Sequence, residues 1–193
     1  MEISTETVKA LREQTGVSIM QCRKALEEAG GDSEKALIIL RKKSSDIASK
    51  KSDRTLGSGA IASYVHNTGG VGAMVILSSE TDFVSKNEDF RKLAYDIAMH
   101  VVASNPEYLK KEEIGEEAMA KAKEVFEGEL KGKPENLKET ILKGKIDAYF
   151  KDKILLEQPF IKNPEVTIGG LISEAVQKFG ERIEISKFTR FSV

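Results

Sequence analysis

The hydrophobic period of this chain first changes at a polar stretch punctuated by glycines. Before residue 50 the apolar residues recur at helical spacing, and from residue 60 they first recur as strands. Between the two, Ser52-Asp53-Arg54-Thr55-Leu56-Gly57-Ser58-Gly59 reads as a linker. The expectation is a helical module over 1–55 followed by an α+β core over 56–193.

In the first module, Ser4 is placed to cap a helix that carries Val8 and Leu11 and stops at Thr15-Gly16. Ser18 is placed to cap a second helix, with Ile19, Cys22, Ala25, Leu26 and Ala29 along one face and Gly30-Gly31 at its end. Asp32 or Ser33 opens a third, through Ala36, Leu37 and Leu40 into a basic run, Arg41-Lys42-Lys43. Three short helices make only a marginal core by themselves.

In the second part, Ala60–His66 and Val71–Ser79 read as strands joined through Asn67-Thr68-Gly69-Gly70. Phe90, Leu93, Ala94, Ile97, Ala98, Val101 and Val102 mark a long amphipathic helix, which Asn105-Pro106 ends. Helical spacing returns at Ala118, Ala122, Val125 and Phe126, and again at Leu137, Ile141 and Leu142, where Gly144 interrupts the pattern and leaves room for a bend. Leu155–Phe160 reads as extended. Thr167 is placed to cap a helix with Leu171, Ile172, Ala175 and Val176, stopped by Gly180, before a closing strand over Arg182–Phe191. This order predicts an α+β core with a mostly antiparallel sheet packed with helices.

Composition narrows the chemistry. Thirty Lys and Arg against 31 Asp and Glu leave a net charge of -1, so no global field draws the chain to nucleic acid or an anionic membrane. One cysteine excludes an intramolecular disulfide and fits a reducing compartment. With two histidines, a histidine-built metal centre has too few ligands. No apolar run approaches the roughly 20 residues needed to cross a bilayer, and Met1–Glu6 has neither a basic leader nor an apolar signal core. A cytoplasmic protein with no cofactor is expected. Residues 1–56 hold 11 basic and 9 acidic groups, the basic ones gathered at Arg41–Lys43, Lys50, Lys51 and Arg54. That cluster reads as a solvated helix end, with a phosphate-contacting patch as the alternative.

Individual residues carry little enzymology. Cys22 falls on an apolar helix face and reads as a core residue, since a nucleophile needs a base and its module has no histidine. His100 borders the apolar stripe of its helix and reads as packing or a local hydrogen bond. His66, at a strand end beside a turn, admits a partner contact and a structural hydrogen bond equally. The most unusual stretch is Thr81-Asp82-Phe83-Val84, between a buried strand and the long helix. One reading makes Thr81 or Asp82 a helix cap and Phe83 a staple into the core. The other makes Asp82 and Phe83 a projecting pair that enters a partner.

Two longer motifs resemble the bacterial elongation factor Ts family, the nucleotide exchange factors of elongation factor Tu. One is Leu11-Arg12-x-x-Thr15-Gly16 followed by Cys22-Arg23-Lys24-Ala25-Leu26; the other is Glu80-Thr81-Asp82-Phe83-Val84-Ser85-Lys86-Asn87. Tyr64-Val65-His66, Ala98–Ser104, Leu156-Glu157-Gln158-Pro159-Phe160 and Phe188-Thr189-Arg190-Phe191 support them, so the likeness runs through nearly the whole chain. The resemblance implies a ubiquitin-associated-like first module that grips the GTPase through Ile19, Met20 and Arg23. Ile19 and Arg23 stand where relatives often have Met and Lys, which keeps apolarity and charge. It implies further that the Thr81–Val84 motif inserts Asp82 and Phe83 near the Mg²⁺ site of the GTPase, and that His66 touches the same partner.

Two departures qualify the likeness. Long members carry two related core halves and a coiled-coil insertion, whereas this chain has one hairpin-and-helix unit, which points to a homodimer. Some short relatives have a cysteine in the final strand where Thr189 stands, so association here is expected to be non-covalent. Two other classes compete: an RNA- or ribosome-associated binder using the basic cluster, and a hydrolase using His66 or Cys22. The second lacks any base–nucleophile constellation.

Overall fold

Ser4, Ser18 and Asp32 each accept hydrogen bonds from backbone amides one turn ahead of them, which starts three helices. In the computed structural model, which describes residues 3–130 and 134–193, these are α1 (Thr5–Thr15), α2 (Ile19–Glu28) and α3 (Ser33–Lys50). Their core is Val8, Leu11, Val17, Cys22, Ala25, Leu26, Ala36 and Leu40.

The remainder forms β1 (Ser58–Val65), β2 (Val71–Ser79), α4 (Asp82–Ser85), α5 (Glu88–Ser104), α6 (Glu116–Gly128), α7 (Glu135–Lys151), β3 (Pro159–Phe160), β4 (Asn163–Thr167), α8 (Ile168–Phe179) and β5 (Ile183–Ser192). One sheet has the order β1-β2-β5 and the other pairs β3 with β4, all antiparallel. The α+β class is therefore as expected. Ala73, Val75 and Leu77 of β2 and Ile183 and Ile185 of β5 face a core shared with Phe90, Ala94, Ile97, Ala98 and Val101 of α5. Helix α8 adds Ile172, Ala175 and Val176 to it. Strand β2 is the central strand, and its alternate buried residues fix the register on both sides.

The structure departs from the sequence reading in two places. Ser58 and Gly59, expected in the linker, already belong to β1, paired with Ser79 and Ser78. A Cβ on Gly59 would lie 2.7 Å from the Leu77 carbonyl oxygen, so this glycine serves close strand approach rather than chain freedom. Leu155–Glu157, expected extended, forms one 3₁₀ turn, and only Pro159-Phe160 is strand, paired with the unforeseen β4. Helix α7 runs unbroken through Gly144, where nothing lies within 4 Å of a built Cβ. One exposed glycine weakens a helix by about 1 kcal/mol relative to Ala, too little to break seventeen residues held elsewhere.

The two cores are joined by α3. Its first half supplies Ala36 and Leu40 to the three-helix core, while Ile47 and Ala48 pack against the other. Arg41 Nε lies 3.4 Å from Glu174 of α8, and Lys51 Nζ donates to the Gly180 carbonyl at 2.5 Å. A third cluster, Ala122, Phe150 and Ile154, holds α6 to α7.

Candidate partner-binding site

Where β2 ends, the chain turns through Glu80 and Thr81 into α4, and adjacent side chains part. Val84 is 2% exposed and belongs to the main core, whereas Phe83 is 83% exposed. A phenyl ring left in water forgoes about 1.5–3 kcal/mol that burial would supply. The staple reading of Phe83 therefore fails, and the projecting reading holds for the geometry. Thr81 occupies the N-cap position of α4 without capping it by its side chain. Its hydroxyl turns instead to the carboxylate of Glu181. Val84, the last residue of the Thr81–Val84 motif, is the buried anchor from which Phe83 projects.

Asp82 is exposed, with its carboxylate 2.6 Å from Lys86 Nζ one helical turn on. The hydrogen bond from Lys86, then the charge of that ammonium, holds the Asp82 pKa below its ordinary value, so the side chain is an anion. Asp82, Ser85, Lys86 and Arg91 together with β1 line a hollow of about 540 Å³. Phe83 and the rim of this hollow thus present an apolar projection beside fixed charges of both signs.

On the three-helix module, Ile19 is 55% and Met20 69% exposed at the first turn of α2, with Arg23 exposed one turn later. Cys22 between them is fully buried, its thiol 3.6 Å from the Val17 carbonyl oxygen. His66 is half-buried, and its Nδ1 lies 3.1 Å from the Thr68 hydroxyl, so a structural hydrogen bond is present there. His100 is fully buried, 2.9 Å from Gln158 Oε1, as the packing reading expected.

Much of the basic cluster is engaged within the chain: Lys43 with Glu28 at 2.6 Å, Arg41 with Glu174, Lys51 with the Gly180 carbonyl and Arg54 with Glu80. Among the described residues, no group of three or more His, Cys, Asp or Glu could hold a metal ion, and no helix is long and apolar enough to cross a membrane.

Residues 41–193 match the family model described as elongation factor TS. Over its whole length the chain is 48% identical to elongation factor Ts of Thermodesulfovibrio yellowstonii, covering 97% of that protein. It is 45% identical to elongation factor Ts of Thermotoga petrophila over the whole chain and 97% of that relative. With elongation factor Ts of Carboxydothermus hydrogenoformans the identity is 43%, over 99% of the chain and 89% of the relative. The chain belongs to the elongation factor Ts family.

Sequence reasoning missed what supports the family's Thr-Asp-Phe-Val segment in this chain. Arg54 Nη1 donates to both Glu80 oxygens at 3.1 and 3.2 Å, and the Arg182 amide donates to Glu80 at 2.5 Å. The Arg182 amide, and then Arg54, hold Glu80 below the ordinary carboxylate range despite the opposing cost of desolvation. The guanidinium of Arg182 reaches the carbonyl oxygen of Arg54 and the carboxylate of Glu184. No local pattern links residue 54, 80 or 182, so only the fold reveals this network.

Proposed function

We propose that this chain is a translation elongation factor that binds the GTPase elongation factor Tu and promotes GDP release so that GTP can rebind. The observation that carries the reading is Phe83, projecting at 83% exposure from a junction whose neighbour Val84 is locked in the core. Asp82 and Phe83 enter the GTPase near its Mg²⁺ and nucleotide, with Thr81 and Val84 setting their base. Ile19, Met20 and Arg23 of the ubiquitin-associated-like module 1–55 grip the GTPase, and His66 of the core 56–193 adds a contact. The setting is the cytoplasm.

Such a factor performs no covalent chemistry. It binds the nucleotide-free GTPase better than the loaded one, and linkage then requires it to weaken nucleotide binding by the same factor. A thousandfold effect corresponds to about 4 kcal/mol. Burying one phenyl ring supplies about 1.5–3 kcal/mol of that. The rest must come from Asp82 and from contacts that stop the wedge from recoiling, which is the work of the first module.

The outer face of the β1-β2-β5 sheet favours a second copy of the chain as a further partner. Ile61, Val65, Met74 and Phe191 all lie exposed there, and charge is confined to its β5 side. Release of labelled GDP from elongation factor Tu tests the main reading: acceleration by the wild-type chain is expected, and an unchanged rate would exclude it. The RNA-binding reading predicts steeply salt-dependent RNA binding lost when Lys42, Lys43, Lys50 and Lys51 become Gln.

A further inference from the structure

The segment that carries Phe83 is tied down by two carboxylates that reach across in opposite directions. Glu80, on the wedge side, receives the backbone amide of Arg182 at 2.5 Å. Glu181, on the α8–β5 side, receives the backbone amide of Thr81 at 3.0 Å with one oxygen and the Thr81 hydroxyl at 2.5 Å with the other. Gly180, with φ 73°, reverses the chain at the end of α8 and thereby turns Glu181 toward Thr81. A residue with a side chain is disfavoured in that conformation.

We propose that Glu181 is a positioning residue for the Asp82-Phe83 wedge, holding Thr81 at two points so that Phe83 projects in one direction. The proposal rests on the exchange role given to Phe83 above. Three geometric facts favour it. The contact is two-pronged, so it fixes orientation as well as distance. It grips the residue immediately before α4, a helix of four residues whose N-cap makes no side-chain hydrogen bond of its own. It engages the Thr81 hydroxyl, which makes no cap, while the Ser79 hydroxyl holds the Thr81 carbonyl at 2.9 Å. A wedge that must push partner helices apart works only if its base cannot yield. Glu181 and Glu80 tie that base to the turn leading into β5, the strand that pairs with central β2.

The variants are Glu181→Ala, Glu181→Gln, Phe83→Ala and the double variant Glu181→Ala/Phe83→Ala, assayed by GDP release and by deuterium uptake at the Thr81–Val84 amides. Glu181→Ala is expected to slow stimulated release about tenfold and to speed uptake at these amides, with the thermal midpoint unchanged. In the Phe83→Ala background the same change is expected to alter release by less than about twofold, because a positioning residue is silent once its wedge is gone. Glu181→Gln is expected to keep most activity, since its amide can accept from the Thr81 N–H and donate to the Thr81 hydroxyl.

Equal losses in both backgrounds, or no loss from Glu181→Ala alone, would overturn the proposal. So would Glu181→Gln as defective as Glu181→Ala, which would assign the effect to charge. Unchanged deuterium uptake in Glu181→Ala would remove the clasp whatever the partner does. If the wild-type chain fails to release GDP while uptake rises, the exchange reading falls and the clasp stands as a structural one.

Discussion

The hydroxyl of Ser44 is hydrogen-bonded to the side-chain amide of Gln177, joining α3 to α8 across 133 positions of chain. Both groups are buried, and Gln177 Nε2 also donates to Gln21 of α2 at 3.3 Å. One amide thus ties the second and third helices of the first module to the core. Replacing Gln177 by Ala removes both of these bonds while the Ser44 hydroxyl keeps the Leu40 carbonyl at 2.9 Å, so the loss should be about 0.5–1.5 kcal/mol per bond. Urea unfolding checks the loss. GDP release should slow as well, because the grip of the first module and the wedge no longer share a fixed frame.

Phe83→Ala separates function from stability. The ring is almost fully in water, so the unfolding free energy should change by no more than about 0.5 kcal/mol. Stimulated GDP release should fall at least tenfold. Asp82→Ala should act in the same direction, again with an unchanged thermal midpoint.

Met20→Asp probes the grip instead of the wedge. It replaces an exposed apolar contact by a charge at the first turn of α2. A release titration should show a rise of tenfold or more in the concentration giving half-maximal rate, with a smaller change in the maximal rate.

His100 predicts a pH effect on stability. Its Nδ1 lies 3.4 Å from the Ile161 amide, which donates to it, so Nε2 carries the proton donated to Gln158. Burial lowers the His100 pKa, with the Gln158 hydrogen bond opposing. The neutral form is thus favoured in the folded state, and the unfolded chain binds the proton more readily. This contribution is fully present above the unfolded value of about 6.5 and is lost as pH falls toward the lower folded value. Thermal midpoints of wild type should drop on acidification below about pH 6.5, and His100→Gln should flatten that part of the slope.

Charge on the outer sheet face tests self-association. Ile61→Lys with Phe191→Lys should convert a species of twice the 21.3 kDa chain mass into one of that mass in a light-scattering measurement. Both side chains are exposed in the single chain, so its fold should survive the change.

Elements with strong local signals were legible in advance. Ser4, Ser18 and Thr167 cap where expected, and β2 spans Val71–Ser79 as read. The α8 helix stops at Gly180 for the reason its sequence suggests. Short or two-sided segments were less legible. Leu155–Phe160 is rich in apolar residues without a period, so neither a 3₁₀ turn nor a two-residue strand leaves a mark on it. Gly144 interrupts the helical pattern of its segment, yet α7 is continuous through it and packs on α6 through Phe150 and Ala122.

The candidate site divides along the same line. Thr81-Asp82-Phe83-Val84 stands out in the sequence, because a charge and an aromatic ring meet at the boundary of two strongly patterned elements. The local pattern alone left Phe83 free to be a core staple or a projection, since both satisfy it, and only the resemblance favoured projection. The tertiary structure places Val84 in the core and leaves Phe83 in water. Glu181 and Arg54 were invisible as parts of the site, lying 100 and 26 positions from their partners. Local chemistry therefore determined the caps, the periods and the unusual tetrapeptide of this protein. The direction in which that tetrapeptide points, and what braces it, depend on contacts between residues far apart in the chain, which only the tertiary structure brings together.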